Sequence, residues 1–243
     1  MKTVIIIPAR MASKRFPGKP MVLIDGIPMI LRVWQQAIKA NIGDTYVACC
    51  EKEVFELISS QGGNAIITDP ELQSGTDRVY AALKKINNYS SFESIINLQG
   101  DMPLINPNDI KKVNIPLKND FEIGTLVTDL TNEEELNQNI TKVTVNWIKE
   151  KSIGNAFDFY KIYKKNLKKV YHHVGIYSYT FKALAKFISM KPTKNELNYK
   201  LEQWRALDAN IEIGATFVEN IPISIDTKED LINIETHIKE KND

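Results

Sequence analysis

Short apolar runs alternate with segments of helical period over the first hundred residues, and few folds are compatible with that alternation. The runs fall at 3–9, 45–50, 64–68 and 93–98, and the helical segments at 28–40, 51–60 and 76–86. A strand covered on both faces reads as a continuous apolar run, whereas the helix that crosses over to the next parallel strand carries one apolar stripe. Ile30, Val33, Trp34 and Ala37 form such a stripe behind Pro28, which sits at a helix start where its missing N–H is harmless. The pattern predicts an α/β chain with a mostly parallel, Rossmann-like sheet and helices on both faces. Beyond Pro107 the spacing predicts a helix at 108–117 and strands at 122–128 and 142–147. A polar, lysine-rich stretch then runs to residue 169. A strand at 171–179, helices at 181–188 and 195–209, a strand at 212–218 and a helix at 228–239 follow. No repeat or linker interrupts the chain, and 243 residues suit one domain spanning 1–243.

Charge narrows the function classes. With 31 basic and 30 acidic residues the net charge is +1, so no global field recruits nucleic acid or an anionic membrane, and any anion site must be local. The lysines between Lys161 and Lys169, interleaved with Tyr160 and Tyr163, read as a solvated face rather than a nucleic-acid grip. The N-terminal apolar stretch stops at Pro8, too short for a signal sequence or a membrane span, so no membrane insertion is expected. Cys49 and Cys50 are adjacent on a predicted strand and point to opposite faces, which disfavours a disulfide and fits a reducing cytoplasm.

Residues 8–20 leave the first strand at its carboxyl end, where a doubly wound sheet places its ligand crevice. Arg10, Lys14, Arg15 and Lys19 stand there with Ser13 and Gly18, a set of cations and exposed N–H groups suited to a triphosphate or, more blandly, to a basic surface turn. Neither a Walker loop nor a G-x-G-x-x-G fingerprint is present. The strand ending at Leu98 runs into Gln99-Gly100-Asp101, placing a carboxylate on a tight turn at the same sheet edge. A second carboxylate, Asp226, either joins Asp101 around a magnesium ion or caps the helix that begins near Lys228.

Taken in order, Ile7-Pro8-Ala9-Arg10, Pro17-Gly18-Lys19-Pro20, Ser74-Gly75-Thr76-Asp77-Arg78, Gln99-Gly100-Asp101, His173-Val174-Gly175-Ile176-Tyr177 and Leu201-Glu202-Gln203 resemble the 3-deoxy-manno-octulosonate (Kdo) cytidylyltransferases. The resemblance implies a three-layer nucleotide-diphospho-sugar transferase fold. It also implies transfer of CMP from CTP to an acidic keto-deoxy sugar for lipopolysaccharide biosynthesis, with Mg2+ as cofactor in a homodimer. By the same resemblance Pro8, Ala9, Arg10, Ser13, Arg15, Lys19, Ser74, Arg78 and Gln99 bind CTP. Arg10, Lys19 and Asp101 would carry catalysis, and Asp101 and Asp226 would hold the metal. His173, Tyr177, Glu202 and Gln203 would face the sugar, against the bland readings of a core histidine and a solvated helix face.

The chain departs from the family pattern at three places. Met102 follows Gln99-Gly100-Asp101 where an acid is usual, Thr180 stands where an arginine is common, and 156–161 lacks the Phe-Ser-Arg segment. Lys161 cannot reproduce the two-pronged carboxylate contact of an arginine, which leaves 8-amino-Kdo or a related acid as an alternative substrate. A sugar-phosphate nucleotidyltransferase and a non-catalytic nucleotide-binding regulator are the other readings.

Overall fold

The computed structural model describes residues 1–12, 16–162 and 169–242. Its elements begin with β1 (Thr3–Pro8), β2 (Leu23–Ile24), β3 (Ile27–Pro28), α1 (Met29–Ala40), β4 (Gly43–Cys49), α2 (Lys52–Ser60), β5 (Asn64–Ile67) and α3 (Gly75–Leu83). There follow β6 (Ser94–Asn97), α4 (Pro107–Lys112), β7 (Ile123–Asp129), α5 (Asn132–Leu136), β8 (Lys142–Lys149) and β9 (Ile153–Tyr160). The chain ends with β10 (Val170–Tyr179), α6 (Phe181–Ser189), α7 (Lys194–Tyr199), α8 (Gln203–Asp208), β11 (Ile213–Phe217) and α9 (Lys228–Asn242). Two compact units form: a first of residues 2–92, 97–110 and 222–243, and a second of residue 1, 93–96 and 111–221.

In the first unit β1 pairs in parallel with β4, and β4 with β5. Val4 to Ile7 are wholly inaccessible, which is why β1 is an unbroken apolar run. Helix α1 buries Ile30, Val33 and Ala37 on the stripe that the sequence shows. The β2–β3 hairpin is an addition to the sequence reading. Asp25 and Gly26 both take positive φ (46° and 72°), the conformation of a two-residue turn whose twist matches the strands. Beside it Phe16, Ile24, Met29, Ile225 and Ile234 pack together, tying the loop after β1 to α9.

The second unit is mixed. β7 pairs in parallel with β11 and antiparallel with β10, while β8 and β9 pair with each other and, antiparallel, with β10 and β11. Strand β9 and helix α5 were not anticipated. The helix expected at 108–117 ends at Lys112, because the Pro116 ring would collide with that carbonyl, and a 3-10 turn at Pro116–Asn119 replaces it. The helix expected at 195–209 is two helices, broken at Lys200 with φ 55°. A buried Glu196–Arg205 ion pair, with bonds of 2.8 and 2.5 Å, joins them across the break. Among the described residues no helix is long and apolar enough to cross a membrane.

Candidate active site

The first unit holds a cavity of about 240 Å³ lined by Pro8, Ala9, Arg10, Lys19, Ser74, Gly75, Arg78, Gln99, Asp101 and Asp226. It lies beyond the carboxyl end of β1, as the topology of a parallel sheet requires. The structure thus collects into one cavity every nucleotide and metal residue expected from sequence except Ser13 and Arg15, which lie outside the described residues. Close backbone approach makes Gly100 obligatory, since a Cβ there would stand 2.8 Å from the Pro8 carbonyl oxygen.

The loop leaving β1 is pinned at several points. The Met11 N–H donates to Glu51 Oε1 at 2.9 Å, and the Gly18 N–H to the Met11 carbonyl at 2.9 Å. Gly18 has φ +74°, a left-handed conformation that glycine adopts without steric penalty. Phe16 is buried and anchors the loop from below. Lys19 then enters on the 3-10 turn Lys19–Met21.

Helix α3 brings the other positive charge. Ser74 is its N-cap, and its hydroxyl and backbone N–H close a capping box with Asp77, so the helix starts with Ser74 and Gly75 on the cavity wall. That end carries partial positive charge and suits an anion. Arg78 is 1% exposed. Its Nη1 donates to Thr68 Oγ1 at 2.5 Å and to the Asp69 carbonyl at 3.2 Å. Its Nη2 is buried and has no partner among the described residues. A buried donor left unpaired is unfavourable, so Nη2 is set for a ligand oxygen. Thr68, which orients this guanidinium, was missed in the sequence; its place at the end of β5 was the sole signal. The Gln99 carboxamide is oriented by donating from Nε2 to Asn97 Oδ1 at 3.0 Å.

Asp101 and Asp226 converge on a single ammonium. Lys19 Nζ lies 2.8 Å from Asp101 Oδ2 and 3.1 Å from Asp226 Oδ1. The segments are joined by the Ile225 N–H, which donates to the Asp101 carbonyl at 2.9 Å. Burial alone would lower the Lys19 pKa, but Asp101 and then Asp226 outweigh it and raise the ammonium above its ordinary value. The capping reading of Asp226 is not what the structure shows. The Asp230 N–H donates to Thr227 Oγ1 and the Thr227 N–H to Asp230 Oδ2, so these two residues cap α9 and the Asp226 carboxylate meets Lys19. Two carboxylates beside a cationic cavity fit magnesium, which takes one or two protein acids and completes its shell with phosphate oxygens and water.

Cys49 and Cys50 are free thiols. Burial pushes them up to about 12 and about 11 respectively, so neither is a thiolate nucleophile near neutral pH.

The sugar-side candidates belong to the second unit. Tyr177, Glu202 and Gln203 line a small cavity of about 30 Å³ with Tyr179 and Phe187. Gln203 Nε2 donates to the Tyr177 phenol oxygen, and Gln203 Oε1 is buried without a partner among the described residues. Burial raises the Tyr177 phenol well above its ordinary pKa. His173 sits in the core, edge-on to Phe159 at 5.2 Å and tilted against Tyr177 at 5.5 Å. Its Nε2 is 3.0 Å from Thr125 Oγ1, and that hydroxyl is 2.9 Å from the Ile176 carbonyl. Since the hydroxyl gives its one proton to a carbonyl, Nε2 is the protonated ring nitrogen. Burial first, then His172, lowers the imidazole pKa to about 3, so His173 is neutral at physiological pH.

These features agree with the comparisons to known proteins. A family model described as cytidylyltransferase matches residues 4–213. The 3-deoxy-manno-octulosonate cytidylyltransferase of Paramagnetospirillum magneticum is 40% identical over 94% of this chain and 94% of its own length. Its counterpart in Rhodospirillum rubrum is 38% identical over 94% and 92%. A CMP:2-keto-3-deoxy-manno-octonic acid synthetase, solved in complex with CTP, superposes with a TM-score of 0.89 at 30% identity, covering 99% of this chain and 100% of that one. The α/β nucleotidyltransferase fold expected from sequence is therefore the fold observed, and the chain belongs to the 3-deoxy-manno-octulosonate cytidylyltransferase family.

Proposed function

We propose that this protein couples CTP to 3-deoxy-manno-octulosonate, giving CMP-Kdo and pyrophosphate. The observation that carries the reading is the cavity in which the unpaired Arg78 Nη2, Arg10 and the α3 N-terminus share a wall with Asp101 and Asp226. The anomeric hydroxyl of the sugar attacks the α-phosphorus and loses its proton to water, a new P–O bond forms, and the bond from the α-phosphorus to the oxygen that bridges to the β-phosphorus breaks, that oxygen leaving with the pyrophosphate. Negative charge then grows on the phosphate oxygens and on the departing pyrophosphate. Arg10, Arg78 and the helix end meet that charge with dipoles and cations already in place, and Lys19 on the same cavity wall adds a further cation. Asp101 and Asp226 would hold Mg2+, which when bound supplies further neutralisation of phosphate charge. No enzyme nucleophile takes part, in keeping with the raised thiols of Cys49 and Cys50.

For the sugar acid, Gln203 Oε1 offers a buried acceptor and Tyr177 a phenol, with Glu202 beside them; neutral His173 braces the Tyr177 ring. Ser13 and Arg15 complete the phosphate loop by resemblance. The proposal extends to a cytoplasmic homodimer serving lipopolysaccharide synthesis and to one nucleotidyltransferase domain over 1–243, supported by a family match that runs through both units.

Incubation with CTP, Mg2+ and Kdo is expected to release pyrophosphate. Silence with both Kdo and its 8-amino analogue, together with turnover of a sugar phosphate, overturns the reading. Arg78→Lys is expected to weaken CTP binding about ten-fold or more, because a buried charged hydrogen bond contributes roughly 1.5–3 kcal/mol and an ammonium cannot serve Thr68 and a phosphate together. Calorimetric titration with CTP reads this directly; an unchanged dissociation constant removes Arg78 from the nucleotide site.

A further inference from the structure

Lys19 bridges the two acids that would hold a divalent cation in the proposed reaction. Its ammonium touches both carboxylates of the pair, at 2.8 Å and 3.1 Å, and those same acids are the metal ligands of the proposed reaction. The Lys19 and Asp101 side chains are 14% and 24% exposed, so water screens their attraction incompletely. The main chain holds the two acidic segments together, through the Ile225 N–H on the Asp101 carbonyl at 2.9 Å. A divalent ion arriving from solvent therefore meets a site whose charge is already half neutralised. It must either lie against an ammonium, at strong repulsion, or displace it.

The cavity gives the displaced ammonium somewhere to go. Lys19 lines it along with Arg10 and Arg78, so phosphate oxygens placed there lie within the reach of a flexible four-carbon side chain. We infer that Lys19 is a placeholder for the metal. Its ammonium closes the Asp101–Asp226 pair to free divalent ions and passes to the phosphate chain when nucleotide and metal arrive together. Metal and nucleotide binding are thereby coupled through one side chain, and each favours the other by the same factor. The inference rests on the reading that a nucleotide occupies this cavity, and it makes a demand that a phosphate contact or a structural prop does not. Removing the Lys19 charge should strengthen metal binding to the free protein while it weakens turnover.

Binding of Mn2+ to the nucleotide-free protein, followed by the electron paramagnetic resonance signal of the unbound ion, tests this. Lys19→Met is expected to bind Mn2+ about 10–100-fold more tightly than the parent, in the range of a typical coupling between sites. Lys19→Gln is expected to behave alike and decides the matter if Lys19→Met does not fold. Lys19→Arg, which keeps the charge, is expected to stay close to the parent, and Asp101→Asn added to Lys19→Met should abolish the gain. Equal Mn2+ affinity in parent and neutral variants overturns the inference, and so does a lack of binding in all of them. Because no turnover is read, a protein that shows the Lys19 effect yet makes no pyrophosphate overturns the proposed reaction and leaves the placeholder standing.

Discussion

Asp101→Asn is expected to lower kcat by about a thousand-fold or more, the scale on which preorganised charge stabilisation acts in phosphoryl-type transfer. The amide has the shape of the carboxylate but no charge, and it is a poor ligand for magnesium. It keeps an oxygen that can still accept from Lys19, so the cavity wall should hold its form. The accompanying loss of stability should be small, about 1 kcal/mol, because the ion pair it replaces is partly solvated. In a chain of this length that corresponds to a few degrees in Tm. Asp226→Asn is expected to act in the same direction. Its carboxylate is more exposed than that of Asp101, at 36% against 24%, and water can replace part of its role, so the fall should be smaller, about a hundred-fold. Pyrophosphate release at saturating CTP and sugar, with circular dichroism to confirm folding, checks both. A parental rate in either variant removes that acid from the metal site.

How far the site can be read from sequence differs between these two acids. Asp101 follows a buried strand and a glycine, and both signals are local. Asp226 appears in sequence as either a ligand or a helix cap. The deciding signal lies one residue further on: Thr227 and Asp230 have the spacing of a capping box, and in the structure they form it. What no local pattern conveys is the meeting of the two acids, which depends on the Ile225 N–H reaching the Asp101 carbonyl. Arg78 was similar. Its motif marks it, but only the tertiary contact with Thr68 shows why its second nitrogen is left for a ligand.

The fold was legible where strands are covered on both faces. β1 is the clearest case, with four consecutive inaccessible side chains. β8 and β9 were harder because burial changes along each strand. β8 turns from buried Val143 and Val145 to an Ile148 that is 72% exposed, and in β9 the 39% exposed Phe157 stands two residues from a fully buried Phe159. Such strands give neither an unbroken apolar run nor a clean alternation. Lys142 adds to the difficulty: it is fully buried, and its ammonium donates to the carbonyls of Asn137 at 2.5 Å, Ile140 at 3.1 Å and Lys161 at 3.0 Å. A lysine that satisfies all its donors on main-chain oxygens looks polar in sequence and behaves as core in the structure. The apolar positions of β8 still sufficed to predict a strand at 142–147, whereas β9 and the turns beside it were read as part of a polar stretch.

Acid sensitivity should trace to His173. Its imidazole has a pKa of about 3 in the folded protein, against 6.5 for the unperturbed group, because burial disfavours the charged ring. Between those values the unfolded chain holds a proton that the folded chain does not, so stability falls as the pH drops below 6.5 and the loss levels off near 3. At about 1.4 kcal/mol per pH unit, this residue alone should remove roughly 2–3 kcal/mol between pH 7 and pH 4.5. His173→Gln carries no titrating group there and retains an N–H for Thr125. Urea unfolding at both pH values should therefore show the variant losing roughly 2–3 kcal/mol less than the parent, while titration of the surface carboxylates cancels between the two. Identical losses would mean that the buried ring accepts a proton as readily as a free one. The same burial bears on activity, because a ring that stays neutral down to about pH 3 cannot cause an ionisation near neutrality in the rate profile. An inflection there must come from the phosphates of the nucleotide or from another side chain, and it should persist in His173→Gln.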